Sequence, residues 1–271
     1  MVLEGIIDAF NAEKRPYELL FLGILFSSVA ILLSIFIFSP HSSIVTIALT
    51  SMVCFPVLYG VIKMEEKKSM HIAKESLLVK EHGKALLFFI FLFIGFVISF
   101  ALWYVFLPDS YSSEVFSVQS STISGIGTGV VGKIISPQST IMQLLMHNSK
   151  VLFFCLLFSF FYGFGAIFIL TWNASVVGVA VGDFIKSNIG VGYLSAMSAG
   201  FTSYLVHGIP EIAAYFTAGL AGGIISIAVI NHDIKSAKFK HVLMDSVDLV
   251  VLSFVLLGVA AVLEVFVSPI I

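Results

Sequence analysis

Within the stretch His207-Gly208-Ile209-Pro210-Glu211 an imidazole and a carboxylate stand four positions apart in otherwise apolar surroundings. An ionisable group inside a membrane, or at its edge, is costly to keep there and invites a functional reading. His207 and Glu211 could pair, coordinate a cation or pass a proton. At an outer interface they could also serve as acid and base towards a lipid. The same residues compose a helix junction equally well. His207 would end one helix, where the dipole favours a cation, and Gly208 would supply the left-handed position after it. Pro210 would open the next helix, with Glu211 in a first turn that favours a carboxylate. Asp183 is the third candidate, either snorkelling or lining a polar cavity. Asn173, beside the interface-type residue Trp172, is read as closing a span, its amide capping the next helix or bonding across the bundle.

Other chemistries can be screened by their spacing requirements. Gly127-Thr128-Gly129-Val130-Val131-Gly132-Lys133 matches a phosphate-binding loop up to its lysine, but Ile134 stands where a Ser or Thr must hold magnesium. The chain carries no HExxH, no paired glutamates with a nearby arginine on a helix, and no G-x-S-G within a span. Cys54 and Cys155 each sit alone in an apolar run, which suits packing and not a disulfide framework or a zinc site. No catalytic residue, metal or cofactor is expected, and the protein is read as no enzyme.

The elements that position these residues follow from composition. Of 271 residues, 59% are hydrophobic and only 11% charged, with mean hydropathy +1.07. A soluble domain carries roughly 25% charged residues, so this chain lacks the polar surface to face water. The net charge of −2 and the absence of a long basic run leave no electrostatic footprint for a nucleic acid. The N-terminus, acidic through Glu4, Asp8, Glu13 and Glu18 against Lys14 and Arg15, does not read as a signal peptide.

Crossing ~30 Å of hydrocarbon takes ~20 apolar residues. Residues 19–38, 44–62, 85–107, 150–172, 209–230 and 246–268 qualify, each without Lys or Arg inside. The stretch 173–207 is apolar but broken by Asp183, Lys186 and Asn188 and by several glycines. Residues 193–207 alone would make a helix of about 22 Å, short for a span and suited to a broken or re-entrant helix.

Charge asymmetry sets the sidedness. Segment 63–84 holds six lysines and 231–244 three, whereas the 42-residue segment 108–149 holds Lys133 alone. By the positive-inside rule the first two are cytoplasmic and the third external. An additional outward crossing is then required before 209–230, and 190–207 is the segment for it. Seven crossings result, N-terminus in and C-terminus out; a re-entrant loop in place of the seventh is the second choice.

Three segments are expected on the membrane surface or beyond it. Residues 2–10 put Leu3, Ile6, Ile7 and Phe10 on one helical face. Residues 137–148, with Ser136 as N-cap and Pro137 at the first position, put Ile141, Leu144 and Leu145 on one side. The mixed Glu/Lys stretch 63–84 reads as a solvated extension of the second and third spans, and Asp245 and Asp248 as first-turn residues of the last span. Glycines four apart, Gly178 with Gly182 and Gly219 with Gly223, allow close helix approach in lipid.

The run His147-Asn148, Tyr162-Gly163-x-Gly165, Asn173-Ala174-x-x-x-Gly178, His207-Gly208-x-x-Glu211 and Ala218-Gly219-x-Ala221-Gly222 resembles the stage II sporulation protein M family. The His-Gly-x-x-Glu element is its specific part. Ala174 stands where that pattern has glycine and His147 where it has asparagine. The resemblance covers about 150–230, plus the flanking spans by topology. It implies about five core spans, so that the first two spans are an added hairpin. It also implies a non-enzymatic role, the named member anchoring hydrolytic partners in a cell-wall remodelling complex.

The expectation is therefore an all-α transmembrane bundle of six to seven spans with one short or broken helix. Residues 1–84 form the N-terminal helix, hairpin and basic loop, and 85–271 the family-like core. Its partners are the lipid bilayer and other membrane proteins or further copies of itself, in a scaffold or complex subunit. The alternative is a transporter or channel with a polar site around Asp183, His207 and Glu211.

Overall fold

The computed structural model describes residues 15–39, 41–72, 75–130, 137–163, 165–187, 193–231 and 234–267. They form helices α1 (Glu18–Phe38), α2 (Ser42–His71), α3 (Glu75–Phe106), α4 (Asp109–Val115), α5 (Ser117–Val130), α6 (Pro137–Tyr162), α7 (Ala166–Ser187), α8 (Tyr193–Asn231) and α9 (Ala237–Phe266). Seven of these, all but α4 and α5, are long and apolar enough to cross a membrane. With no water to satisfy backbone groups in hydrocarbon, helices meet that need within themselves. The chain is a multi-pass, all-α membrane protein. The expected N-terminal surface helix, 2–10, and Ser136 lie outside the described residues.

The crossings are not all where the apolar runs suggest. Residues 150–172 form an uninterrupted apolar run, yet α6 ends at Tyr162 and α7 begins at Ala166. Gly163, at φ 76°, makes the turn, a backbone conformation that side-chain-bearing residues rarely adopt. Ser159 Oγ then accepts the Ala166 N–H at 3.2 Å, satisfying a donor left over at the start of α7. The additional crossing is therefore 166–187, and the described part of 190–207, from Tyr193, is the beginning of α8. The segment 137–148 is likewise no separate surface helix: from Pro137 onward it runs unbroken into the span.

Helix α8 is central. In its most apolar part 78% of the residues are buried, against 28% for α1 and α9 and 22% for α6. At 39 residues it is about 58 Å long, nearly twice the hydrocarbon thickness. Its inward face alternates small with aromatic residues. Phe216 stacks on Phe89 of α3, centroids 5.2 Å apart, and meets Phe93 edge-on at 6.3 Å. A Cβ on Gly223 would fall 2.5 Å from the Gly163 carbonyl oxygen and 2.9 Å from Ile62. Close approach of this kind gives membrane helices the packing that water-driven burial cannot supply.

Similar close crossings fix α3 against its other neighbours. Gly23 of α1 faces Gly95 of α3, where a Cβ on Gly23 would lie 2.6 Å from the Leu92 carbonyl oxygen. On α7, a Cβ on Gly178 would meet Phe100 Cβ at 2.7 Å and one on Gly182 would meet Tyr104 Cβ at 3.0 Å. Hydroxyl and amide pairs reinforce the same seams. Ser34 and Thr46 share a 2.6 Å hydrogen bond between α1 and α2. Ser43 donates to Gln119 Oε1 at 2.7 Å, and Gln119 Nε2 donates to Ser175 Oγ at 3.1 Å. Gln119 thereby ties α5 of the segment 108–149 to two spans.

Candidate functional site

The residues expected at a helix junction lie inside a continuous helix. His207, Gly208, Pro210 and Glu211 all belong to α8, which runs without a break from Tyr193 to Asn231. Pro210 removes one backbone donor, a loss that membrane helices tolerate. Gly208 has open space where a Cβ would go and helical backbone, so it supplies no left-handed turn. Glu211 is thus an interior residue of the helix and not a first-turn carboxylate.

What surrounds Glu211 is a polar group drawn from three helices. Tyr215, one turn along and only 1% exposed, donates its hydroxyl to Glu211 Oε1 at 2.8 Å. The charges of Glu264 on α9, His207 on α8 and His147 on α6 act on the same carboxylate. His207 and Glu211 lie one turn apart on α8, with His147 of α6 and Glu264 of α9 in the electrostatic neighbourhood of the carboxylate.

Asp183 stands apart from this group. It is exposed near the end of α7 and accepts the Tyr104 hydroxyl of α3 at 3.1 Å. Beside it, Lys186 pairs with Asp109 at 2.5 Å and lies 5.6 Å from the Tyr104 ring centre. Asn173 neither caps nor crosses: it sits mid-helix in α7 and donates to the Ile169 carbonyl at 2.8 Å.

A second cluster, at the opposite end, was not anticipated. The segment 63–84 does extend α2 and α3 beyond the apolar runs, but one face of that extension is buried. Glu65 is 0% exposed and His82 1%. His82 Nδ1 lies 2.6 Å from Glu65 Oε2, and His82 Nε2 lies 3.1 Å from Asp245 Oδ2. Both ring nitrogens donate only when the imidazole is doubly protonated, which is the form this geometry suits. Ser69 Oγ donates to Asp245. Lys68 Nζ approaches Glu65 Oε1 at 2.8 Å and Glu81 at 3.5 Å as ion pairs.

Asp245 is accordingly not a first-turn residue of α9. That helix starts at Ala237 with Ser236 as its cap, accepting the Phe239 N–H at 3.1 Å. Asp245 sits two turns further in, between α2 and α3. The imidazole fills the space between the two carboxylates, so the three groups pair and do not converge on a point. Among the described residues no set of His, Cys, Asp or Glu side chains is arranged to hold a metal ion. Cys54 and Cys155 are free and buried.

The sequence carried one signal for this cluster. The inward row of α2 runs through Cys54, Leu58 and Ile62, then continues at the same helical spacing into Glu65, Glu66 and Ser69. A buried face that passes from apolar to acidic needs a cation opposite it.

Comparison with known families gives one match: the model described as Stage II sporulation protein M covers residues 84–269, more than two-thirds of the chain. Neither a curated protein nor a solved structure matches. The match begins just after His82, so Glu65 and His82 lie outside it and Asp245 inside.

Proposed function

Because the chain belongs to the stage II sporulation protein M family, we propose that it serves as a non-enzymatic scaffold or subunit of a membrane complex. The observation that carries this reading is the closure of its buried charges on one another. Glu65, His82 and Asp245 link α2, α3 and α9, with Lys68 beside Glu65 and Ser69 donating to Asp245, an arrangement that holds a framework rigid. The length of α8 supports it too, since a helix that outruns the hydrocarbon offers extramembrane surface to partners or to further copies of the chain. Affinity isolation from native membranes in gentle detergent tests the proposal; recovery of the chain by itself would count heavily against it.

In this reading the lysine-rich segments 63–84 and 231–244 face the cytoplasm. Relocating the seventh crossing to 166–187 keeps the same sidedness, with the N-terminus inside and the C-terminus outside. Single cysteines introduced at exposed Lys67 and Tyr111 should be labelled by an impermeant thiol reagent from opposite sides of sealed vesicles.

A second reading, transport, is favoured by one specific arrangement: Glu211 lies inside α8, one turn from His207, with the charges of His147 on α6 and Glu264 on α9 acting on it. Ionisable groups there are the usual markers of a proton or ion path. Flux into liposomes, compared between the wild type and Glu211→Gln, separates the two readings. Background flux for both across ions and small metabolites would remove transport.

A further inference from the structure

At the end of the bundle built by α2, α3 and α9, charge is sorted by direction. The acids point in: Glu65 is 0%, Glu66 1% and the Asp245 side chain 9% exposed. Lys68 turns inward onto Glu65 and Glu81; the other described lysines of this end point out. On α2, exposed Lys63, Lys67 and His71 form a row at four-residue spacing; on α3, Lys80 and Lys84 form another; on α9, Lys238 and Lys240 are exposed. Among the described residues, Lys63, Lys67, Lys80, Lys238 and Lys240 have no ion-pair partner. Like charges four apart on a helix repel, so these rows are destabilising unless an anion from outside lies against them. Asp248 is an exposed acid on the same stretch of α9, one carboxylate against five such cations.

The position of the rows says which anion. Lys63 directly follows the apolar run 44–62 and Lys84 directly precedes 85–107; Lys67, Lys80 and Lys240 stand within two turns of a run's end. Side chains that lean back from there reach the headgroup layer, which adds roughly 5–8 Å to each side of the hydrocarbon. Exposed apolar residues share those faces at helical spacing. Leu77 lies one turn before Lys80, and Met244 one turn after Lys240. An acidic protein surface would have no use for this mixture, whereas an acyl chain beneath a phosphate has.

We propose that this end of the molecule is a binding surface for anionic lipid headgroups, assembled from two segments that lie far apart in the chain. The Glu65–His82–Asp245 contacts bring α9 against α2 and α3, and so bring the lysines of 235–241 beside those of 63–84. The surface is independent of whether the protein scaffolds or transports.

The test is thermal unfolding of the purified full chain in neutral detergent, with phosphatidylglycerol or phosphatidylcholine added at equal amounts. Phosphatidylglycerol should raise the melting temperature by about 3 °C or more over phosphatidylcholine, as expected for a ligand that binds only the folded state. The difference should shrink in high salt. It should disappear in the variant carrying Lys63→Gln, Lys67→Gln, Lys80→Gln, Lys238→Gln and Lys240→Gln, and survive when the same five become Arg. Equal shifts with both lipids, or a full shift in the Gln variant, would overturn the proposal. So would the same shift from poly-glutamate, which would make the surface a site for acidic protein. If the Gln variant fails to fold, the salt and lipid comparisons on the wild type decide alone.

Discussion

At the lysine-rich end, Glu65, His82 and Asp245 come from three helices and are joined through the two ring nitrogens of His82. At the other end, Glu211 takes its hydrogen bond from Tyr215, one turn along the same helix. A bond between helices sets their relative positions, whereas a bond within one helix sets nothing beyond a rotamer. The first arrangement therefore locks the bundle. The second leaves the placement of Glu211 against α6 and α9 to the packing of the helices themselves. The same kind of residue, a carboxylate within a membrane protein, ties three helices together in one place and bonds within its own helix in the other.

The sharpest way to break the contrast is at its rigid end. His82→Ala removes the imidazole between Glu65 and Asp245 and leaves Lys68 as the cation beside Glu65; breaking a buried pair in this way costs about 3–5 kcal/mol. Unfolding in detergent, by heat or by graded sodium dodecyl sulfate, should show that loss. A double-mutant cycle with Glu65→Gln should return a coupling of about 1 kcal/mol or more. Additive effects would mean the lock is not one unit.

Next in size is Gly223→Leu. With the Gly163 carbonyl 2.5 Å from where its Cβ would go, overpacking should cost about 1–3 kcal/mol. At the Glu211 end Tyr215→Phe removes the donor to Glu211 and should cost about 1–2 kcal/mol in the same assay. It should leave the helix packing intact, as judged by unchanged protease cleavage in the 163–165 turn. A loss as large as that of His82→Ala would erase the distinction between the two ends.

The smallest expected effect is also the most diagnostic of helix geometry. Gly208→Ala adds a methyl to open space in a helix interior and should stabilise by about 0.5–1 kcal/mol. A junction glycine in left-handed conformation would give the opposite sign.

The apolar runs at 19–38, 44–62, 85–107 and 246–268 were legible because length and hydropathy suffice to define a span. The break at Gly163 was not, since nothing in an apolar run distinguishes a turn glycine from a packing glycine. His207-Gly208-Ile209-Pro210 misled for the converse reason: each residue satisfies a junction rule, but in lipid a proline within a helix is bearable and the rules lose their force. Glu211 and His207 were found by their cost in a membrane. Glu65, His82 and Asp245 escaped notice because they are 17 and 163 positions apart and form no motif. Only the continuation of the inward face of α2 pointed to them.

Synthesis runs from α1 to α9, while the lock joins the second helix to the last. Glu65 and His82 enter the membrane edge early and can pair at once, but their third member is made only when α9 emerges. Until then the nascent chain holds an incomplete charge set at its cytoplasm-proposed end, and a polypeptide that stops short of residue 245 keeps it for good.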